Sequence, residues 1–368
     1  MNREIRKLAK RLKDKDPVIR RAAVRRLADV GGEKAELLLI KALGDENPQV
    51  RMLAARSLGR LRSKRAVPDL ILALKDINYH VRATVAEALG QIGDNTALPY
   101  LAELLPEEDS ELLRSVTRAM SLLLSSDEPP SEEIKWIADR MEQLSLSSDP
   151  VIQAAAIESL GKLRVSDLAP RFLQILEGEE PYVMGAALKA LADFGDKRVV
   201  SYAIKAIESG DLIEEAVEAL ARIGDKRAVP TLISLLSDSK ADPIHRGKAA
   251  WALKKLRAEE STEALARVLF GVGEGNFRRT DIFDPRFQYL REQVTLALME
   301  LDLEMLHDLL EEGVKSPDGW IRMLTVDIMR LVDTPRSRML LMEALEDPIP
   351  DIRETAELEL KRRAAEES

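Results

Sequence analysis

Leucines 27, 58 and 89 stand 31 residues apart, and so do Leu160 and Leu191. A fixed period of this size constrains a chain more than any local propensity, because one small structural unit is being made again and again. Four segments align on such a leucine: VRMLAARSLGRLRSKRAVPDLILALKD on Leu58, VRATVAEALGQIGDNTALPYLAELL on Leu89, IQAAAIESLGKLRVSDLAPRFLQIL on Leu160 and EEAVEALARIGDKRAVPTLISLLSD on Leu220. A proline follows ten residues after each leucine, at Pro68, Pro99, Pro170 and Pro230. A unit of 31 residues cannot bury enough surface to fold alone, so neighbours of the same kind must cover it.

Each unit reads as two helices. The first begins near the proline, which is tolerated in a first helical turn because no backbone donor is lost there. In it Val67, Leu70, Ile71 and Leu74 make one apolar stripe. A turn at Asp76–Tyr79 leads into HVRATVAEALGQI, which buries Val81, Val85, Ala88 and Leu89. Gly93, Gly195 and Gly224 stop such second helices, since glycine accepts the left-handed conformation past a helix end. The aspartates that follow, Asp94, Asp196 and Asp225, are placed to cap the next turn. The expected fold class is all-α: a right-handed α-solenoid, a superhelix of ten to eleven two-helix repeats, running as one continuous domain over residues 1–368.

Composition fits that fold. Hydrophobic residues make up 45 % of the 368 residues but aromatics only 4 %, so Leu, Ala, Val and Ile must build the core. There is no cysteine, which excludes disulfides and thiolate metal sites. Scarce Asn and Gln with abundant Arg and Glu resemble a thermophile's usage. The N-terminal MNREIRKLAKRLKD has no apolar secretory region, and no window is apolar enough to span a membrane. A cytoplasmic protein without membrane contact is expected.

The run Asp-x-x-Pro-x-Val-Arg followed by Ala-Ala-x-x-Leu-Gly resembles the HEAT-like repeat of the short type named after phycobilisome lyases. Asp45, Pro48, Val50, Arg51, Ala54, Ala55, Leu58 and Gly59 match it, and Asp76, Val81, Arg82, Leu89 and Gly90 match it again without the proline. The resemblance implies that turn aspartates and second-helix arginines bond between neighbouring units as a structural ladder. Asp14 and Arg20, Asp45 and Arg51, Asp76 and Arg82, and Asp347 and Arg353 keep one six-residue spacing. It also implies that second helices line the concave surface. It says little of function, because such repeats serve in scaffolds, chromophore lyases, DNA glycosylases and an iron hydroxylase.

The period breaks twice. Residues 121–148 form a lengthened repeat, in which Pro129 and Pro130 end one helix and Ser131, Glu133 and Ile134 begin another. Residues 271–287 form an inserted loop. The stretch FGVGEGNFRRTDIFDPRFQYLR around it holds four of the six phenylalanines. GVGEG lacks the Lys-Ser/Thr partner and preceding strand of a phosphate loop. Phe277, Phe283 and Phe287 either plug a gap between units or, with Arg278 and Arg279, form a recognition loop, since Phe and Arg suit binding hot spots.

Charge is uneven. Residues 1–65 hold 19 Lys+Arg against 8 Asp+Glu, whereas residues 101–220 hold 11 against 24. Arg21 and Arg25 share one helix face, as do Arg56 and Arg60. These four make either a solvated polar face or a patch for an acidic partner, nucleic acid or an acidic protein tail. The patch lacks interleaved aromatics for base stacking, and the acidic middle repels a long phosphate backbone.

Catalytic signals are sparse. His80, His245 and His307 lie in separate units and none precedes Glu, whereas the hydroxylase of this repeat type holds its metal with His-Glu pairs. There is no His-Glu-x-x-His and no nucleophile elbow. For a glycosylase, Asp281 and Asp284 beside Phe277 and Phe283 are the available carboxylates, and loop capping is their simpler role. A chromophore lyase would want aromatics in its groove and a phycobiliprotein partner. The expectation is therefore a non-catalytic scaffold without cofactor, gripping a protein through its concave face and the 271–287 loop. The alternatives are a nucleic-acid binder using the basic repeats of residues 1–65, and then an enzyme of the glycosylase or lyase kind.

Overall fold

Proline at the first helical position and a side-chain acceptor just before it set the register of this chain's helices. A computed structural model describes residues 3–105, 110–124, 135–270 and 284–366. The chain divides into two compact units, Met1–Phe194 and Gly195–Ser368. Among the described residues all regular structure is helical.

Among the described residues the α-helices of the first unit come in six pairs: α1 (Arg3–Arg11) with α2 (Pro17–Val30), α3 (Glu33–Ala42) with α4 (Pro48–Arg60), α5 (Val67–Ala73) with α6 (Tyr79–Ile92), α7 (Leu98–Ala102) with α8 (Ser110–Leu123), α9 (Lys135–Leu144) with α10 (Pro150–Lys162), and α11 (Ala169–Ile175) with α12 (Pro181–Phe194). The second unit has five: α13 (Val199–Ser209) with α14 (Ile213–Ile223), α15 (Val229–Ser237) with α16 (Pro243–Lys255), α17 (Thr262–Leu269) with α18 (Pro285–Leu301), α19 (Leu303–Val314) with α20 (Gly319–Met329), and α21 (Pro335–Ala344) with α22 (Pro350–Glu366). Within each unit consecutive second helices pack side by side, with the first helices as a second layer, so the architecture is an all-α solenoid.

One buried residue marks the same place in the second helices. It is Leu27, Leu58, Leu89, Met120, Leu160 and Leu191 in the first unit, and Leu220, Leu253, Leu298 and Met329 in the second. The interval is 31 residues at most steps. It lengthens between Met120 and Leu160 and between Leu253 and Leu298, the intervals that contain the two sequence breaks. The residues Pro129, Pro130, Ser131, Glu133 and Ile134 of the first break lie outside the described residues.

Five second helices start alike. Asp16, Asn47, Asp149, Asp242 and Asp284 accept hydrogen bonds from backbone N–H groups in the first turn, and a proline follows each of them. Several second helices end on a left-handed residue of one of two kinds. Gly93 and Gly224 close α6 and α14 in the left-handed conformation, and Asp94 and Asp225 then cap the following turn. After α4, α10 and α16 the left-handed residue is instead an arginine: Arg62, Arg164 or Arg257.

Close helix approach has its own cause. A Cβ on Gly59 would lie 2.9 Å from Ala88 Cα, on Gly90 2.9 Å from Ala119 Cα, and on Gly161 2.6 Å from Ala190 Cα. These glycines let α4 meet α6, α6 meet α8, and α10 meet α12 nearly backbone to backbone.

In the second unit Arg363 of α22, 1 % exposed, ties three elements together. Its guanidinium donates to Glu359, to Ser337 Oγ of α21, and to the carbonyls of Met329 and Val332 beyond α20. A buried charge so enclosed fixes the register of α22 on its neighbours.

Candidate functional site

The turn aspartates and second-helix arginines form a relay between repeats. Arg20 donates from Nε and Nη2 to both oxygens of Asp45, each at 2.8 Å, and from Nη1 to the Asp14 carbonyl. Arg51 repeats this with Asp76, at 2.6 and 2.8 Å, and with the Asp45 carbonyl. Arg82 and Arg353 donate to the carbonyls of Asp76 and Asp347. The six-residue spacing is thus a contact to backbone carbonyl, and the ion pair spans 25 residues. Arg322 with Asp347 has the same geometry, at 2.6 and 3.2 Å, although its own turn residue is Ser316. The six-residue spacing passes over this pair; the 25-residue spacing finds it. The aspartates also hold their turns: Asp45, Asp76 and Asp347 accept from the N–H two residues on, and Asp14 from that of Asp16. Burial alone would raise the carboxyls of Asp76 and Asp347, but the bonds from Arg51 and Arg322, the backbone N–H groups of Asn78 and Ile349 and the nearby guanidinium charges together outweigh it and hold both below the ordinary carboxylate range.

Two residues before each anchor leucine lies a side chain on the outward face of its second helix. In the first unit this position carries Arg25, Arg56, Glu87, Arg118, Glu158 and Lys189. Glu158 pairs with Lys189 at 3.4 Å, and Glu87 accepts from Ser115. Arg25, Arg56 and Arg60 are exposed and have no carboxylate within ion-pair distance among the described residues. Arg21 donates to Gln49 Oε1 at the start of α4, which sets α2 and α4 side by side there. The four predicted basic residues therefore occupy one face of two adjacent helices. Neighbouring arginines are spent elsewhere: Arg20 in the ladder and Arg26 on Glu4.

In the second unit that same position carries Glu218, then Trp251. Trp251 is half-buried in a groove of about 450 Å³, lined also by Ala221 and Arg222 of α14, Lys248 and Lys255 of α16, and Tyr289 of α18. Gly247 leaves room for the Tyr289 ring that lines the groove: a Cβ there would meet that ring at 2.7 Å. Lys248 Nζ lies 2.6 Å from Glu214 and 3.0 Å from Glu218. Burial alone would lower its pKa, and these two carboxylates outweigh burial and raise it. Burial pushes the Tyr289 hydroxyl up, so it stays a protonated donor at neutral pH. Lys255 is exposed and has no ion-pair partner among the described residues. The sequence reading missed this groove. Its signal was a tryptophan at a position that charged residues hold in the seven earlier second helices.

A second groove, of about 470 Å³, lies between α18, α20 and α22 and is lined by Arg291, Asp327, Arg330 and Arg362. Arg330 pairs with Asp327, and Arg362 with Glu359 and Glu366. Burial lowers the pKa of Arg291.

Of the predicted loop residues, Phe277, Arg278, Arg279 and Phe283 lie outside the described residues. Phe287 is on the first turn of α18, half-buried. Asp281 also lies outside, and Asp284 is the N-cap of α18, bonded to the Arg286 backbone and guanidinium, which hold its carboxyl low. The histidines stay apart: His80 faces Glu111, His245 faces Glu214, and His307 bonds the Thr334 hydroxyl. Among the described residues no three His, Asp or Glu side chains could hold a metal ion, and no helix is long and apolar enough to cross a membrane.

The sequence matches the family description "HEAT repeats" over residues 5–76, 36–121, 137–213 and 203–282. Among solved structures, importin beta is similar over 99 % of this chain, with 14 % identity and a TM-score of 0.60; this chain spans 58 % of that one. An engineered protein is 20 % identical over 98 % of both chains, with a TM-score of 0.37. The phycocyanin lyase complex from Nostoc sp. PCC7120 is 22 % identical over 81 % of this chain and 94 % of that one, also at 0.37. No curated protein matches this chain. The repeated match, the helix pairs and the likeness to importin beta agree: the chain belongs to the HEAT-repeat family.

Proposed function

We propose that this protein is a non-catalytic scaffold, one continuous repeat array that holds a polypeptide partner on its second-helix faces. The observation that supports it best is the Trp251 groove. A half-buried indole, a half-buried phenol and an unpaired ammonium together offer apolar area at low entropic cost with a polar handle beside it. The inserted segment 271–287, expected as a loop but with its last three residues opening α18, leads towards Tyr289, and in this reading Phe277, Arg278, Arg279, Phe283 and Phe287 add to the same contact. The ladder of Asp14, Arg20, Asp45, Arg51, Asp76, Arg82, Asp347 and Arg353 keeps the face rigid and takes no part in binding.

The test is photo-crosslinking from position 251, with a benzophenone amino acid in place of Trp251, in nuclease-treated lysate of the native host. A discrete protein adduct is expected. It should weaken when Lys255 becomes Glu and when residues 271–283 are deleted, a deletion that spares the Asp284 cap. The absence of any protein adduct would sink the reading. A second reading, nucleic-acid binding through Arg21, Arg25, Arg56 and Arg60, is favoured by the exposed guanidinium groups of Arg25, Arg56 and Arg60, which meet no carboxylate among the described residues. It calls instead for binding that falls steeply with salt.

A further inference from the structure

We propose that the α2–α4 face is a binding site for an acidic polypeptide segment, contacted through Arg21, Arg25, Arg56 and Arg60. This rests on the scaffold reading and names the chemistry of one partner.

Three observations carry it. Arg25, Arg56 and Arg60 project from adjacent helices and meet no carboxylate among the described residues, although acidic side chains neutralise Arg20, Arg26, Arg51 and Arg65 around them. Leaving such guanidinium groups together costs mutual repulsion, which a carboxylate-bearing ligand relieves.

The spacing is also that of an extended acidic chain. Arg56 and Arg60 are one helical turn apart, about 6 Å, and helices α2 and α4 pack at about 8–10 Å. Carboxylates at alternate or third positions of an extended peptide, rising about 3.3 Å per residue, meet both distances. Guanidinium groups bind carboxylates in two-pronged fashion, which lysines in these places would not do.

The patch is short as well. The next second helix places an exposed carboxylate, Glu87, where α2 and α4 place Arg25 and Arg56. A nucleic-acid backbone continuing along that face would meet Glu87, whereas an acidic segment of a few residues ends before it. Residues 1–65, which carry the four arginines, contain no aromatic side chain to stack on a base.

The probe is a fluorescein-labelled decaglutamate peptide, titrated by anisotropy against the full chain at about 0.15 M salt, where the Debye length is about 8 Å. Saturable binding is expected. The triple variant R25E/R56E/R60E should weaken it about tenfold or more. A control, K34E/K41E/K64E, makes the same change in net charge on exposed lysines away from this face, at Lys34 and Lys41 of α3 and Lys64 of the turn after α4. It should move the affinity less than about twofold. Circular dichroism checks that both variants keep their helicity, since none of the six side chains belongs to the ladder. Equal weakening in the control overturns the proposal, because net charge alone would then explain binding. Absence of peptide binding overturns it too. So does tighter binding of a 20-base-pair DNA duplex that is lost with the same arginines, which would make the face a nucleic-acid site. None of these results alters the crosslink from position 251, so failure here is distinct from failure of the scaffold reading.

Discussion

At the residue scale, two kinds of residue take the left-handed conformation after second helices. Gly93 and Gly224 adopt the left-handed conformation without strain, because they lack a Cβ. Arg62, Arg164 and Arg257 adopt it at φ near +50° and have a Cβ that crowds the following carbonyl, at a cost of about 1–2 kcal/mol. Arg164 is exposed, and among the described residues no hydrogen bond or ion pair holds its side chain. Replacing it by glycine relieves the strain but adds freedom to the unfolded chain, worth about 0.5–1 kcal/mol in the opposite sense. Arg164→Gly is therefore expected to stabilise the protein by about 0.5–1 kcal/mol, read as a raised urea midpoint with an unchanged slope. A lowered midpoint would show that the arginine side chain matters there.

At the element scale, packing of neighbouring second helices depends on where glycine falls. Gly161 faces Ala190 so closely that an added methyl would sit 2.8 Å from Ala190 Cβ and 2.6 Å from its Cα. The obstacle is helix backbone, which cannot swing aside as a long side chain can. Gly161→Ala should cost about 1–3 kcal/mol from overpacking, although alanine is the better helix former by about 1 kcal/mol. If equilibrium unfolding shows the variant equal to or more stable than the parent, α10 and α12 are not in such close contact. The leucine-glycine pairs at 58–59, 89–90 and 160–161 were legible as a repeated motif. Their purpose was not, because the atoms that need the space belong to the next repeat.

At the scale of the whole molecule, the arginine–aspartate relay makes stability depend on pH. Asp76 and Asp347 have carboxyls depressed below the ordinary value of 3.8. A carboxyl with a lower pKa folded than unfolded contributes stability that is complete above the unfolded pKa and is lost as pH falls through the folded one. Stability should therefore change little from neutral pH towards 3.8 through these groups, and fall below that. Arg51→Gln removes one rung. At neutral pH it should cost about 1.5–3 kcal/mol, as for hydrogen bonds to charged groups. The gap between variant and parent should narrow as the acid limb is reached, in urea unfolding at a series of pH values. A gap that stays constant down to the acid limb would mean that Arg51 acts through packing and not through the Asp76 charge.

The sequence by itself determined the repeat. A period of 31 shows in the spacing of its leucines, and a proline in the first turn, an Asp or Asn before it and an apolar stripe are signals contained within some fifteen residues, which the physics of helix start, stop and amphipathicity reads without any neighbour. The family followed from the same residues. Only the tertiary structure decided which groups meet. Arg20 finds Asp45 and not Asp14, because stacking sets the turn of the next repeat beside it. Trp251 and Tyr289, 38 residues apart, share a groove because Gly247 lets α18 close on α16. Such contacts form between units that are each regular, so no local pattern records them, and they are fixed only by the distance and angle at which one helix pair settles on the next.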